Sequence, residues 1–163
     1  MDSTPSITQP APSSSPFSAS VSWRAVAVGF LTAVGTAVFS IAMMRLGLSP
    51  LPKPVAGAFA ATLLGHPVPL PVGILFHVVY VTFWGFLYVY LFRNRLTFLN
   101  ALWLGLFLWL VVLVGFFPYI GWGFFGLAIG PKLIVGSLVP HLVFVVLVWA
   151  FAKWLVSRSA VIR

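Results

Sequence analysis

The chain has 163 residues, of which 61% are hydrophobic and only 6% are charged. A water-soluble domain carries about 25% charged residues, so this composition excludes a soluble globular protein. The net charge of +8 comes from nine Lys and Arg residues against one acid, Asp2. These basic residues stand singly or in pairs at the ends of apolar runs, whereas nucleic-acid binding needs a basic cluster on one face. We therefore predict the lipid bilayer as a partner and exclude nucleic acid.

The two ends of the chain differ in composition from its middle. Residues 1–22 are rich in Ser and Pro and contain no basic residue, and such a segment cannot bury enough apolar surface to offset the entropy lost on ordering. We predict a disordered cytoplasmic tail over 1–22, a transmembrane domain over 23–156 and a short basic tail over 157–163.

Four apolar runs are long enough to cross a bilayer, since about 20 residues of α-helix cover its hydrocarbon core. The predicted spans are 25–47, 71–92, 97–117 and 133–154. The third span ends before Pro118, because the uncharged stretch from Leu96 to Pro131 is too long for one helix and Pro interrupts helical hydrogen bonding. The expected fold is an all-α membrane protein whose four helices form an up-and-down bundle.

The distribution of basic residues predicts the orientation of this bundle. Six lie on the side of both termini and of the connection between spans two and three, and three lie on the opposite side. The two sets are Arg24, Arg93, Arg95, Lys153, Arg158 and Arg163, and Arg45, Lys53 and Lys132. Because short cytoplasmic segments carry the excess of Lys and Arg, we predict a multi-pass protein of the bacterial cytoplasmic (inner) membrane with both termini cytoplasmic. On the outer side, Val55 to Leu64 is apolar but too short to span, which predicts an interfacial or re-entrant segment.

Two stretches of the sequence resemble each other weakly. Gly65 is followed twelve residues later by His77, and Gly130 is followed eleven residues later by His141. A Val-Gly pair precedes each histidine, and an aromatic residue stands three positions after it. This pattern favours two related helix-hairpin repeats, with chance similarity between apolar segments as the alternative. A duplication would make spans two and four equivalent parallel helices.

His77 and His141 lie within predicted spans, at similar depth on the outer side. An ionisable residue inside a membrane is costly, so a function is the default hypothesis. Diagonal helices of a bundle lie about 11–14 Å apart, which is too far for two histidines to share a small metal ion but suits a b-type haem. Tyr80, Trp84 and Tyr88 on span two fit an aromatic wall for this cofactor.

The alternative for both histidines is structural. Histidines in membrane helices often hydrogen-bond to neighbouring helices, and aromatic residues at helical spacing are often packing residues. Pro140, just before the second histidine, has no backbone N–H and leaves the carbonyl of Gly136 without its helical donor. That carbonyl is then an acceptor for a nearby side chain.

Little else in the sequence indicates a metal or catalytic site. A zinc site needs three or four ligands, and His66 in the outer loop is a possible third ligand, although a surface histidine is the simpler interpretation. Cysteine is absent and the one acid lies outside the spans, which excludes thiolate metal sites and a triad whose histidine is oriented by a carboxylate. We predict neither a metal site nor catalytic residues, and no cofactor beyond the possible haem.

Small residues recur along span one at about one helical turn. Gly29, Thr32, Thr36 and Ser40 share one face, which is typical of surfaces where membrane helices pack closely. A polar path along this face is the alternative.

The pattern as a whole resembles a family of small bacterial inner-membrane proteins with four helices and no assigned activity. The residues that carry the resemblance, over about 25–152, are Gly29 through Met44, His77 with Trp84-Gly85, Gly105 and Trp109, Phe117-Pro118 through Gly126, and His141 with Phe144. The resemblance implies a four-helix membrane fold and no particular chemistry.

For function, we expect an integral membrane protein without catalytic activity that acts as a structural or accessory subunit. Its partners would be other membrane protein subunits or further copies of itself. A bis-histidine b-type haem protein that transfers electrons is one alternative, and a small-solute permease is another.

Overall fold

A computed structural model of the protein describes residues 19–156, with side chains from Trp23 onwards. The predicted tail over 157–163 and residues 1–18 of the predicted N-terminal tail lie outside the described residues. All regular structure in the described part is helical. The helices are α1 (Ala19–Arg45), α2 (Val55–Leu64), α3 (Leu70–Phe92), α4 (Phe98–Tyr119) and α5 (Lys132–Leu155).

Four of these helices are long and apolar enough to cross a membrane: α1 from Trp23 onwards, α3, α4 and α5. The predictions of an all-helical fold and of four long apolar helices are therefore confirmed. The short outer segment is the ten-residue helix α2, with the bounds expected from its composition.

The first helix differs from the predicted span at both ends. α1 already begins at Ala19, within the stretch assigned to the tail. It ends at Arg45 because Gly47 adopts the left-handed conformation, with φ +70°. The N–H of Leu48 then donates to the carbonyl of Met43 at 2.9 Å, which is the pattern of a Schellman cap and closes the helix before residue 47.

The third long helix continues through Pro118 instead of ending before it. Residues Val112–Phe116 form a π-helical segment, in which the N–H of Phe117 donates to the carbonyl of Val112, five residues earlier. Pro118 has no N–H to donate, and its ring would clash with the preceding turn of a regular α-helix. The wider π turn accommodates both effects. The helix ends at Tyr119, and a glycine-rich connection with one 3₁₀ turn (Phe124–Gly126) leads to α5.

Helix α1 occupies the centre of the arrangement. It packs against both α3 and α5, while α4 packs mainly on α5 and α2 packs on α3. Gly29 lies against Gly85 and Thr36 lies against His77, so α1 and α3 are antiparallel. Helices α3 and α4, although consecutive, make few contacts with each other.

Glycines mark the points where helix backbones approach most closely. A Cβ atom added to Gly85 would meet the backbone of Gly29, and one added to Gly73 would lie 2.9 Å from the Cα of Gly57. These crossings join α1 to α3 and α2 to α3. On α4, Gly105 receives the side chain of Val145 from α5.

Candidate ligand-binding cavity

A half-open cavity of about 1070 Å³ lies in the half of the fold that contains α2. Residues of all five helices and of the connections on either side of α2 line it. Its volume is slightly above the usual range of small-molecule sites, about 300–1,000 Å³. Most of the lining is aliphatic or aromatic, and the polar side chains include Thr36, Ser40, Lys53, His77, Tyr80 and His141.

Two buried clusters flank this cavity. The first joins α1, α3, α4 and α5 and contributes Leu108 and Phe144 to the lining. The second surrounds the connection between α4 and α5 and contributes Ala58 and Val112. The cavity therefore lies between two packed regions rather than at a frayed end of the helices.

Aromatic side chains bridge the gap between α2, α3 and α4. The ring of Phe59 lies 4.9 Å from that of Phe116 and 5.2 Å from that of Tyr119, between centroids. Tyr80 meets Phe116 edge-on at 5.4 Å, and Trp84 lies 6.0 Å from Phe107, nearer the N-terminal end of α4. Side chains rather than close backbones thus hold α3 and α4 together.

The three aromatic residues predicted as a cofactor wall do not share one location. Tyr80 and Trp84 line the cavity. Tyr88 is fully buried elsewhere, and its hydroxyl donates to the carbonyl of Thr97 at 2.9 Å. It therefore fixes the connection between α3 and α4 and does not face the cavity.

His77 links α3 to α1. Its Nε2 lies 3.1 Å from Oγ1 of Thr36, and that hydroxyl is also 2.8 Å from the carbonyl oxygen of Thr32. A carbonyl only accepts, so when the hydroxyl gives it its one hydrogen, the ring Nε2 donates to the hydroxyl and Nδ1 of the neutral ring keeps a lone pair. This is the interhelical bond expected of a structural histidine in a membrane helix.

His141 uses its own helix instead. Its Nδ1 lies 2.7 Å from the carbonyl oxygen of Ser137. A carbonyl only accepts, so Nδ1 carries the hydrogen and Nε2 has a free lone pair in the neutral ring. The acceptor is thus Ser137 rather than Gly136, the carbonyl that Pro140 deprives of its donor. Space beside Gly136 is filled by the ring of Pro50.

Two buried hydroxyl groups have no hydrogen-bond partner among the described residues, those of Tyr80 and Thr82. Tyr80 belongs to the cavity lining. A buried hydroxyl without a partner is destabilising by about 1–3 kcal/mol, and the Tyr80 oxygen has almost no accessible surface through which a ligand could reach it.

The small-residue face of α1 extends from a helix crossing into the cavity. Gly29 contacts the backbone of α3 at Thr82, and Thr32 is fully buried with its hydroxyl donating to the carbonyl of Val28 at 2.7 Å. Thr36 and Ser40, one and two turns further along, line the cavity.

The third histidine is separate from this site. His66 is exposed, and its Nδ1 lies 3.0 Å from the carbonyl oxygen of Pro67. Within residues 19–156, no group of three or more His, Cys, Asp or Glu side chains is placed to hold a metal ion.

One polar contact near the cavity was missed by reasoning from the sequence. Nε1 of Trp109 lies 3.1 Å from Oγ of Ser137 and 3.2 Å from the carbonyl oxygen of Ile134. These residues are distant in the chain, and only the pairing of α4 with α5 brings them together. In the sequence, the carbonyl that Pro140 leaves without a donor pointed to this region, but it did not point to the tryptophan.

Comparison with known proteins adds no assignment: no protein-family model, no curated protein and no solved structure matches the chain. The resemblance to four-helix inner-membrane proteins therefore stays a prediction.

Proposed function

We propose that the protein spans the bacterial cytoplasmic membrane with α1, α3, α4 and α5 in an up-and-down arrangement and with both termini cytoplasmic. The excess of basic residues on the side of the termini supports this orientation. The antiparallel pairing of α1 with α3 fits it, since consecutive spans alternate in direction. Helix α2 then lies at the outer surface, and the cavity lies in the outer leaflet beneath it.

Within that membrane, the protein acts without catalysis by holding an apolar molecule. The observation that carries this proposal is the half-open cavity of about 1070 Å³ beside α2, with its largely apolar walls. Pockets that are mostly apolar and contain a few placed polar groups are typical ligand sites. With one acid in the entire chain, Asp2, and no cysteine, the site offers no carboxylate to orient a histidine for nucleophilic catalysis.

Blocking the cavity tests this function. Ser40→Phe places a ring into the lining from α1, whereas Val38→Phe adds the same ring to a position that is 63% exposed and outside the lining. Each purified variant is offered the apolar dye N-phenyl-1-naphthylamine, and the retained complex is measured by native mass spectrometry. We expect loss of the complex in Ser40→Phe alone; equal binding by both variants and the wild type would contradict the proposal.

The holding role suits an accessory subunit of a larger membrane complex, or a self-associated assembly. All the long helices present large apolar side chains on their outer faces, which suits contact with lipid or with other apolar helices. Migration of the detergent-extracted protein on native gels tests this part. A stable monomer without a co-purifying partner would count against it.

A b-type haem is the second candidate, favoured by the presence of both His77 and His141 in the lining of one cavity. The bond from Nδ1 of His141 to a backbone carbonyl is the arrangement that orients a metal-binding imidazole. His77 would have to release Thr36 to bind iron through Nε2. An absorbance spectrum after reconstitution decides: a Soret band that is lost in His77→Ala and His141→Ala supports haem, and its absence ends the idea.

The third hypothesis, a small-solute permease, gains no support from the cavity. A permease needs polar groups through both leaflets, whereas the lining here is mostly apolar and is confined to the half of the helices towards α2. Solute uptake by proteoliposomes is the direct test.

A further inference from the structure

We propose that the molecule held in the cavity carries a hydroxyl group, and that this hydroxyl donates its hydrogen to Nε2 of His141. The proposal rests on the binding function above and names the chemical class of the ligand: an apolar alcohol or phenol. It follows from which atoms of the lining already have partners and which do not.

The surroundings of the His141 ring determine which of its nitrogens carries a hydrogen. The 2.7 Å contact between Nδ1 and the carbonyl oxygen of Ser137 requires a hydrogen on Nδ1. No acidic side chain is present among the described residues to pair with a charged ring, since the chain's one acid is Asp2. In the neutral ring, Nε2 is therefore a hydrogen-bond acceptor.

That acceptor has no partner in the described part of the chain. The hydrogen bond of the ring runs through Nδ1. Nε2 is not one of the fully buried polar atoms that lack a partner, so an unpartnered Nε2 keeps some accessible surface. His141 lines the cavity, so a ligand there can reach it. A ligand O–H can donate a hydrogen bond to this lone pair. The oxygen of a ketone, ester or ether is itself an acceptor and cannot bond to it.

The other polar groups of the site divide in the same way. Thr36 holds Nε2 of His77, which leaves only Nδ1 of that ring to meet a ligand. The hydroxyl of Tyr80 also has no partner, but it is fully buried and is not exposed to a ligand in the cavity. An alcohol or phenol supplies the hydrogen that Nε2 of His141 can accept, and the apolar walls suit the remainder of an alkyl-bearing molecule.

A matched pair of ligands tests the proposal on the unmodified protein. 4-Dodecylphenol and its methyl ether, 4-dodecylanisole, share the same chain and ring, and only the phenol donates a hydrogen bond. Both are offered together to the full chain in detergent micelles, and the bound fractions are measured by native mass spectrometry. A hydrogen bond made in an apolar site is worth about tenfold in affinity, so we expect about tenfold preference for the phenol.

Variants then assign the preference to one atom. His141→Phe retains a planar ring but removes the acceptor, and we expect its preference for the phenol to fall to about onefold. Leu142→Phe, at the next position of the same helix and outside the cavity lining, is the control and should keep the wild-type ratio. The comparison in the wild type remains decisive if His141→Phe does not fold.

The outcomes separate this proposal from the function on which it rests. If the wild type binds phenol and ether equally, the hydroxyl proposal is overturned. If Ser40→Phe then abolishes the binding of both, the binding function stays intact. Failure of both ligands to bind would overturn both. Preferential capture of palmitate, added as a third ligand, would instead assign a carboxylate site centred on Lys53, another lining residue.

Discussion

The crossing of α1 and α3 offers a sharp test of how the fold is held together. Gly85→Ala adds one methyl group at the point where Gly85 faces the backbone of Gly29. The added Cβ would lie 3.1 Å from the backbone N of Gly29 and closer still to its Cα. The obstacle is backbone, which cannot rotate away as a side chain does, so the two helices have to separate.

The cost can be worked from this geometry. Restoring ordinary contact requires a separation of about 1 Å, and a gap of that size forfeits a quarter to a half of the dispersion attraction between the facing atoms. Overpacking of this kind costs about 1–3 kcal/mol. The Thr36–His77 bond joins the same helices and is worth about 0.6 kcal/mol. We expect Gly85→Ala to lower the free energy of unfolding by about 2–3 kcal/mol relative to a control variant. In that control, alanine also replaces a helical glycine and gives the same gain in helix propensity.

Gly115→Ala supplies that control, because a Cβ there meets nothing within 4 Å. Unfolding of each variant is followed by circular dichroism during titration with SDS in mixed micelles. Gly85→Ala should unfold at lower SDS than the wild type, while Gly115→Ala should be unchanged or slightly more stable. Equal stability of the two variants would refute the close-packed crossing.

Three further predictions use the same protein. A double-mutant cycle of Thr36→Val and His77→Phe should give a coupling of about 0.6 kcal/mol in the SDS titration, and strictly additive effects would show that the pair is not bonded. Tyr88→Phe removes the hydroxyl that closes the connection between α3 and α4, so it should cost about 1 kcal/mol and speed amide exchange in that connection; unchanged exchange would contradict this. Because the chain has no cysteine, a single introduced cysteine reports its side of the membrane. Gly47→Cys should react with an impermeant maleimide on intact cells, and Asn94→Cys should react only after lysis. The reverse pattern would show that the topology is inverted.

Hydropathy and length were sufficient to predict the long helices and the short helix α2, because long uncharged apolar runs between charged or proline-rich stretches mark their bounds. The faces of those helices were harder to predict. In a membrane protein, an apolar side chain can point to lipid or to the core: Val38 is 63% exposed, whereas Val28 is fully buried on the same helix. With no polar face to mark the outside, helical spacing could group Tyr88 with Tyr80 and Trp84 but could not show that it points elsewhere.

The position of the cavity was also beyond the sequence. Pro118 was expected to end the third span, since proline breaks the regular hydrogen-bond pattern. The π segment at Val112–Phe116 absorbs the proline within the helix, and two of its residues, Val112 and Phe116, face the cavity. The separation of α3 from α4 depends on contacts between distant residues, which a single sequence does not reveal.

The two histidines illustrate how equivalent positions acquire different chemistry. Both occur near the same level of parallel helices, and a repeat would treat them alike. His77 faces Thr36 of the central helix, which satisfies its Nε2. His141 turns Nδ1 to its own helix at Ser137, one position along from the carbonyl that Pro140 leaves free. Each neutral ring therefore keeps one nitrogen lone pair, on Nδ1 of His77 and on Nε2 of His141, and only the His77 ring is also tied to the packing of α1 on α3.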